Sequence, residues 1–185
     1  MVQAEGSLAR TVRFVAFSNE EQPFCRTEQM GSRVYANSCR ENHDEIAAMI
    51  CLETIGYYTE HRGTQKFPEP FLQSLGHDVG NFIAIVSNLE SEALLEQCVA
   101  AFRSAVRFPA VALSATETVR GVDYSDHQNF WRLGYPAVMF TDTAFFRYPH
   151  YHQKTDTADR IDFDRLAVVT SGVAAAIIEL GGASC

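Results

Sequence analysis

The 185-residue chain predicts an α/β fold: three layers, α/β/α, around a mostly parallel, mixed sheet. Three observations carry this. Apolar runs of strand length alternate with stretches of helical spacing, the pattern of layered α/β proteins. One run, residues 46–54 (IAAMICLET), is almost continuously apolar, as in a strand buried on both faces. The chain is 46% hydrophobic and 21% charged, a balance that supports a packed core without disulfides and excludes wholesale disorder.

The elements follow in order. Residues 10–17 (RTVRFVAF) read as a strand, with Val12, Phe14 and Ala16 alternating against Arg13, Val15 and Phe17. Residues 18–29 are a polar loop. Residues 30–39 are a short helix with Met30, Val34 and Ala36 inward. The strand at 46–54 follows. Residues 56–81 hold four of the eleven glycines and two prolines, a long irregular excursion of the kind that is usually functional. Residues 82–87 (FIAIVS) are a further strand. Ser91 caps a helix reaching to about residue 106, with Leu94, Leu95, Cys98 and Phe102 on one face. Strands at 110–114 and 136–141 flank a short helix at 126–133. Asp162 caps the last helix, where Leu166, Val169, Val173, Ile177 and Leu180 recur at helical spacing and Gly181-Gly182 ends the pattern. With no repeat and no linker, residues 1–185 read as one domain.

Charge and cysteines exclude several classes. Fifteen Lys+Arg against 23 Asp+Glu give a net charge of −8, the wrong sign for a nucleic-acid partner. No basic amphipathic stretch suits a membrane surface, and no run approaches the roughly 18 apolar residues of a membrane span. The first residues lack the basic and apolar regions of a signal peptide, and the compartment stays open. The five cysteines contain no C-x-x-C, which argues against a zinc ribbon. Cys51 and Cys98 read as core thiols, and a bridge such as Cys25 to Cys39 stays open.

Reactive groups in an open α/β sheet collect past the carboxyl ends of strands. Glu20-Glu21 follows the first strand, Glu53 closes the second, and His150-Tyr151-His152 follows the strand ending near Thr141. Taken singly, a Glu-Glu pair is a solvated patch and a His-x-His a surface feature. Glu53 is different, because a carboxylate closing an apolar run costs several kcal/mol unless something pairs with it. One divalent ion would compensate all three burials, and carboxylate plus imidazole is a zinc donor set. His43-Asp44-Glu45 reads as a solvated turn and His77-Asp78 as local hydrogen bonding. Ser125-Asp126-His127 are adjacent and cannot form a triad with one another. The G-x-S-x-G, H-E-x-x-H, Walker A and G-x-G-x-x-G patterns are absent.

Here the residues become recognisable. The run Phe14-Val15-Ala16-Phe17-Ser18-Asn19-Glu20-Glu21 with Gly31-Ser32-Arg33-Val34-Tyr35 resembles the Glu-Glu segment of metallopeptidase family twenty-eight, the co-catalytic zinc aminopeptidases and their relatives. Leu52-Glu53-Thr54-Ile55-Gly56-Tyr57 resembles that family's second-metal strand. Ser125-Asp126-His127, Phe130-Trp131 and Gly134-Tyr135-Pro136-Ala137 resemble its late strand approach. Tyr151-His152, Asp156-Thr157 and Asp159-Arg160-Ile161-Asp162 resemble its terminal ligand block.

The resemblance implies zinc-dependent exopeptidase chemistry, of aminopeptidase type, on a peptide with a free N-terminus. Glu20 is then the general base toward a metal-activated water. Glu21 and His152 ligate one zinc, Glu53 ligates the other, and Asp156 orients His152. Phe145, Phe146, Tyr148 and Tyr151 would line a pocket for the first side chain. Two further family ligands, a His in a His-x-Asp motif and a bridging Asp, have no counterpart before Arg10. The chain therefore resembles the C-terminal part of the catalytic domain, N-terminally incomplete and without its first strands. The complete family site holds two zincs; one or none is expected here. His127, His150 and Asp142 are the candidates to substitute, with His150 expected to be a spectator. Exposed sheet edges imply self-association. Relatives of this kind are mostly exported. Two alternatives stand beside this reading: a glutaminyl-cyclase-like enzyme with a single zinc, and a non-catalytic peptidase-like domain used for binding or assembly.

Overall fold

The computed structural model describes residues 8–73 and 78–182. Among them are four strands, β1 (Met49–Glu53), β2 (Ile83–Ser87), β3 (Ala110–Ser114) and β4 (Ala137–Thr141). The helices are α1 (Gly31–Glu41), α2 (Pro70–Gln73), α3 (Glu92–Ala105), α4 (His127–Trp131) and α5 (Phe163–Leu180). The sheet order is β1-β4-β2-β3. β1 runs parallel to β4 and β2 parallel to β3, while β2 and β4 are antiparallel, which makes the sheet mixed.

Side-chain alternation builds the three layers. Ile83 and Ile85 of β2 with Val138 and Phe140 of β4 face α3 and α5, in a core with Leu94, Leu95, Cys98, Phe102, Val169 and Val173. Phe82, Ala84 and Val86 with Ala137 and Met139 face the other way, onto Ala36, Phe130 and Trp131. Helices α3 and α5 pack tightly on each other, and a Cβ on Gly172 would come within 2.3 Å of the Phe102 ring. No described helix is long and apolar enough to cross a membrane.

Several expectations need correction. Among the described residues, 10–17 pair with no strand, and Phe14 is 88% exposed. Their alternation supplies strand propensity but cannot supply a neighbour, and a groove of about 1480 Å³ separates them from β1. For the same reason β1 is an edge strand, not an interior one: Cys51 is buried, while Leu52 is 52% exposed. Val34 points outward at 55% exposure, while Met30 and Ala36 are buried. Ser91 makes no side-chain cap on α3; Asn88 Oδ1 accepts from Ser91 N instead, and Ser91 Oγ accepts from Ala137 N at 3.2 Å. Asp162 does cap α5, its carboxylate accepting from Arg165 N at 3.0 Å. Cys25, Cys39, Cys51 and Cys98 are free thiols, so the bridge from Cys25 to Cys39 is not formed. Of the His77-Asp78 pair, His77 lies outside the described residues, and Asp78 Oδ2 accepts from Arg62 Nε at 3.1 Å.

Candidate functional site

Glu20 and Glu21 follow the unpaired segment, so no sheet ladder holds them. They are fixed from α1 instead. Gly31 N donates to Ser18 O at 2.8 Å, and a Cβ on Gly31 would meet Ser18 O at 2.6 Å. Asn19, at φ +59, donates from Nδ2 to Gln29 O at 3.1 Å. Phe17 packs on Tyr35 and Phe130, with ring centroids 5.6 and 6.2 Å away. This bracket turns Glu20 inward. Burial first, then the charges of Glu53, Glu21 and Asp126, push its carboxyl up to about 7.

Glu21 meets His152, whose Nε2 lies 3.0 Å from Glu21 Oε1. His152 sits at φ +58, with its ring stacked 3.9 Å from Tyr151. Glu53 is half-buried at the end of β1 and accepts a hydrogen bond from Ser125 Oγ at 2.8 Å. Burial raises its pKa most, opposed by the Ser125 bond and reinforced by Glu21, Asp142 and Asp126. The structure therefore gathers Glu20, Glu21, Glu53 and His152 at one end of the sheet.

The other candidates are placed differently. The Asp156 carboxylate accepts from Tyr148 Oη at 2.6 Å, while the bond His152 makes is with Glu21. Tyr148 is thus held by Asp156 and stacks on Tyr57 at 4.6 Å. His150 Nδ1 lies 2.8 Å from Thr155 Oγ1. His127 is fully buried and donates from Nε2 to Val122 O at 2.7 Å, with Nδ1 unpartnered. Asp142 is engaged by backbone amides of its own neighbourhood. None of His127, His150 and Asp142 joins Glu21 and His152.

Asp126 and Ser125 belong to this site and carry no role in the sequence reading. Asp126 adds a third neighbouring charge to Glu20 and Glu53. Burial raises its own pKa, and its Oδ1 is buried without a partner. The only sequence signal is their place in Ser125-Asp126-His127, three polar residues leading into the short helix α4.

Beside Glu53 and Tyr151 opens a pocket of about 90 Å³. Its floor is the sheet face of Ala84, Val86 and Met139, and Phe145, Phe146 and Arg120 form a wall. The Arg120 guanidinium lies 5.1 Å from the Phe145 ring centroid and 6.0 Å from that of Phe146. Phe145, Phe146 and Tyr151 line it; Tyr148 does not.

A zinc ion would suit the donor chemistry here, since carboxylates and an imidazole converge in a crowded negative region with an orphaned Asp126 oxygen. The geometry supplies two donors in contact, Glu21 and His152. Among the described residues no group of three or more His, Cys, Asp or Glu side chains closes around one point.

The model described as Peptidase family M28 matches residues 1–177. The Escherichia coli K12 "Uncharacterized protein YfbL" is 40% identical over 162 residues, covering 88% of this chain and 49% of YfbL. A "Probable leucine aminopeptidase" of Arthroderma benhamiae is 35% identical over 74 residues, 40% of this chain and 20% of that protein. The zinc aminopeptidase BSAP of Bacillus subtilis superposes with a TM-score of 0.56 at 20% identity, covering 80% of this chain and 32% of BSAP. The chain thus spans about half the length of YfbL and about a third of BSAP's.

Proposed function

The chain belongs to peptidase family M28, and from that premise we propose that it carries part of a zinc-dependent exopeptidase centre of aminopeptidase type. The observation behind this is the contact of Glu21 with His152 at 3.0 Å, beside a half-buried Glu20. Glu21 and His152 would hold one zinc, and Glu53 would face a second cation or the substrate's ammonium. When bound, zinc would polarise the scissile carbonyl and acidify water.

The remaining steps belong to the protein. Glu20, half-buried beside Glu21 and Glu53, takes a proton from the attacking water and gives it to the leaving amine. The negative charge of Glu53 and Asp126 attracts a free amino end. The apolar pocket takes the first side chain, consistent with the leucine aminopeptidase similarity. Arg120 at its wall disfavours cationic first residues, which would meet a like charge in a desolvated space.

Calorimetric zinc titration tests this, with hydrolysis of leucine 4-nitroanilide by the unaltered chain and by Glu20→Gln. Zinc binding with hydrolysis lost in Glu20→Gln supports the proposal. Zinc binding with unchanged hydrolysis in Glu20→Gln removes the assigned base. The pairing of only two donors in contact favours a second reading, a glutaminyl-cyclase-like site with one zinc. Cyclisation of an N-terminal glutamine without peptide hydrolysis would select it. The free edge of β1 is where a second copy would pair.

A further inference from the structure

The backbone behind Glu53 is strained. Thr54 lies at φ +40, and across the sheet Thr143 lies at +77 and Ala144 at +45. None is glycine, and two are β-branched, the residues least suited to the left-handed region. These two turns are neighbours because Glu53 pairs with Thr141 in the β1–β4 register. Strain of this kind persists only where the surroundings over-determine it.

Asp142 sits between the turns at 1% exposure. Its Oδ2 accepts from Gly56 N at 3.1 Å and from Tyr57 N at 2.8 Å. Its Oδ1 accepts from Ala144 N at 3.0 Å, and its own N donates to Thr54 O at 2.6 Å. One side chain therefore ties the turn after Glu53 to the loop that continues into Phe145 and Phe146. Three amide donors converge on it, so an acceptor-only group is needed; an amide side chain would turn N–H toward at least one N–H. The arrangement also adds a carboxylate near Glu53, beside those of Glu21 and Asp126, a repulsion a neutral residue would avoid.

We propose that Asp142 is a positioning residue: a clasp that holds the strained turn behind Glu53 and thereby aims the Glu53 carboxylate into the site. This rests on Glu53 facing a cation. The Asp142 carboxylate is consumed by the amides of Gly56, Tyr57 and Ala144, so it acts on Glu53 through the turn that begins at Thr54.

Cobalt(II) titration by calorimetry tests it on four chains: unaltered, Asp142→Asn, Val169→Ala and Asp142→Asn with Thr54→Gly. Val169 is buried in the core facing α3 and α5, so its truncation destabilises without touching the clasp. The expected result is a cobalt affinity lowered about 10–100-fold in Asp142→Asn, the range for losing a group that orients a ligand. Val169→Ala is expected to bind as the unaltered chain does. Thr54→Gly should restore most of the loss, because glycine adopts positive φ without a clasp. Unchanged cobalt affinity in Asp142→Asn overturns the proposal, as does a loss no larger than in Val169→Ala.

Amide hydrogen exchange supplies a readout independent of metal. Gly56, Tyr57 and Ala144 should exchange about tenfold faster in Asp142→Asn while α3 amides hold their rates. If the unaltered chain binds no cobalt, the cation reading of Glu53 fails. The clasp is then judged on exchange alone, and unchanged rates at those three amides overturn it.

Discussion

The His152 imidazole and the Glu21 carboxylate meet at 3.0 Å across 131 residues of sequence. Both side chains are more than half exposed, so as an ion pair in water the contact would contribute little to stability. On the proposed reading the pair serves as zinc ligands instead. Glu21→Gln and His152→Ala should each weaken zinc binding by at least about 100-fold, more than loss of an outer partner costs, with melting temperature nearly unchanged. Calorimetry with parallel thermal melts checks this; a large fall in melting temperature in either variant would assign the pair a structural role.

The proposed role of the apolar pocket in holding the first side chain gives a kinetic prediction. Phe146→Ala should lower kcat/KM for Leu and Phe substrates by about 10–100-fold and leave Ala substrates within a few-fold, as expected for lost apolar contacts. Arg120→Glu should raise turnover of Lys substrates relative to Leu. Equal effects on all substrates would remove the pocket from first-residue recognition.

His127 makes stability depend on pH. Burial lowers its pKa from 6.5 to about 4, the Val122 carbonyl partly opposing. Between these values the unfolded chain binds a proton that the folded chain does not. Stability from this group is therefore fully present above about 6.5 and lost as pH falls toward 4, by roughly 3 kcal/mol. Buried carboxylates such as Asp142, with raised pKa, slope the other way. The difference between unaltered and His127→Phe chains isolates the histidine. Urea melts followed by Trp131 fluorescence, 4.4 Å from the imidazole, should show that difference shrinking as pH falls; a constant difference would contradict it.

Gly172→Ala should destabilise by about 1–3 kcal/mol, because the new methyl overlaps the Phe102 ring in a filled core. In a chain this long that is a fall of roughly 3–10 °C in Tm. An unchanged melt would mean that α3 and α5 can separate at no cost.

The β1 edge predicts association. Leu52→Lys, at an exposed position on that edge, should shift the chain toward monomer in size-exclusion with light scattering, since edge charges block strand pairing. A monomer before and after substitution would show that the edge is not used.

How much of this was readable in the sequence depends on the range of the interaction. α3 and α5 follow from local spacing, and β2 and β4 from apolar runs of strand length. Residues 10–17 show the limit: alternation specifies two faces, but the missing quantity is a hydrogen-bonding neighbour. Val34 has helical spacing and still points outward, because spacing does not say where a face ends. The candidate acids are harder. Glu20, Glu21, Glu53 and His152 stand out through strand ends and family resemblance, whereas Asp126 and Asp142 look alike in sequence and do different things. One lies among the site carboxylates, and the other is consumed by backbone amides.

Glu20 hangs from α1 by the Ser18–Gly31 bond and an aromatic wedge, and the segment before it, residues 10–17, borders the open groove. A lever fixed at one end transmits tilt, so small rotations of α1 would become displacements of the Glu20 carboxylate. Whatever fills that groove would act as a brake on this lever, setting how sharply the Glu20 carboxylate is aimed rather than whether it is there.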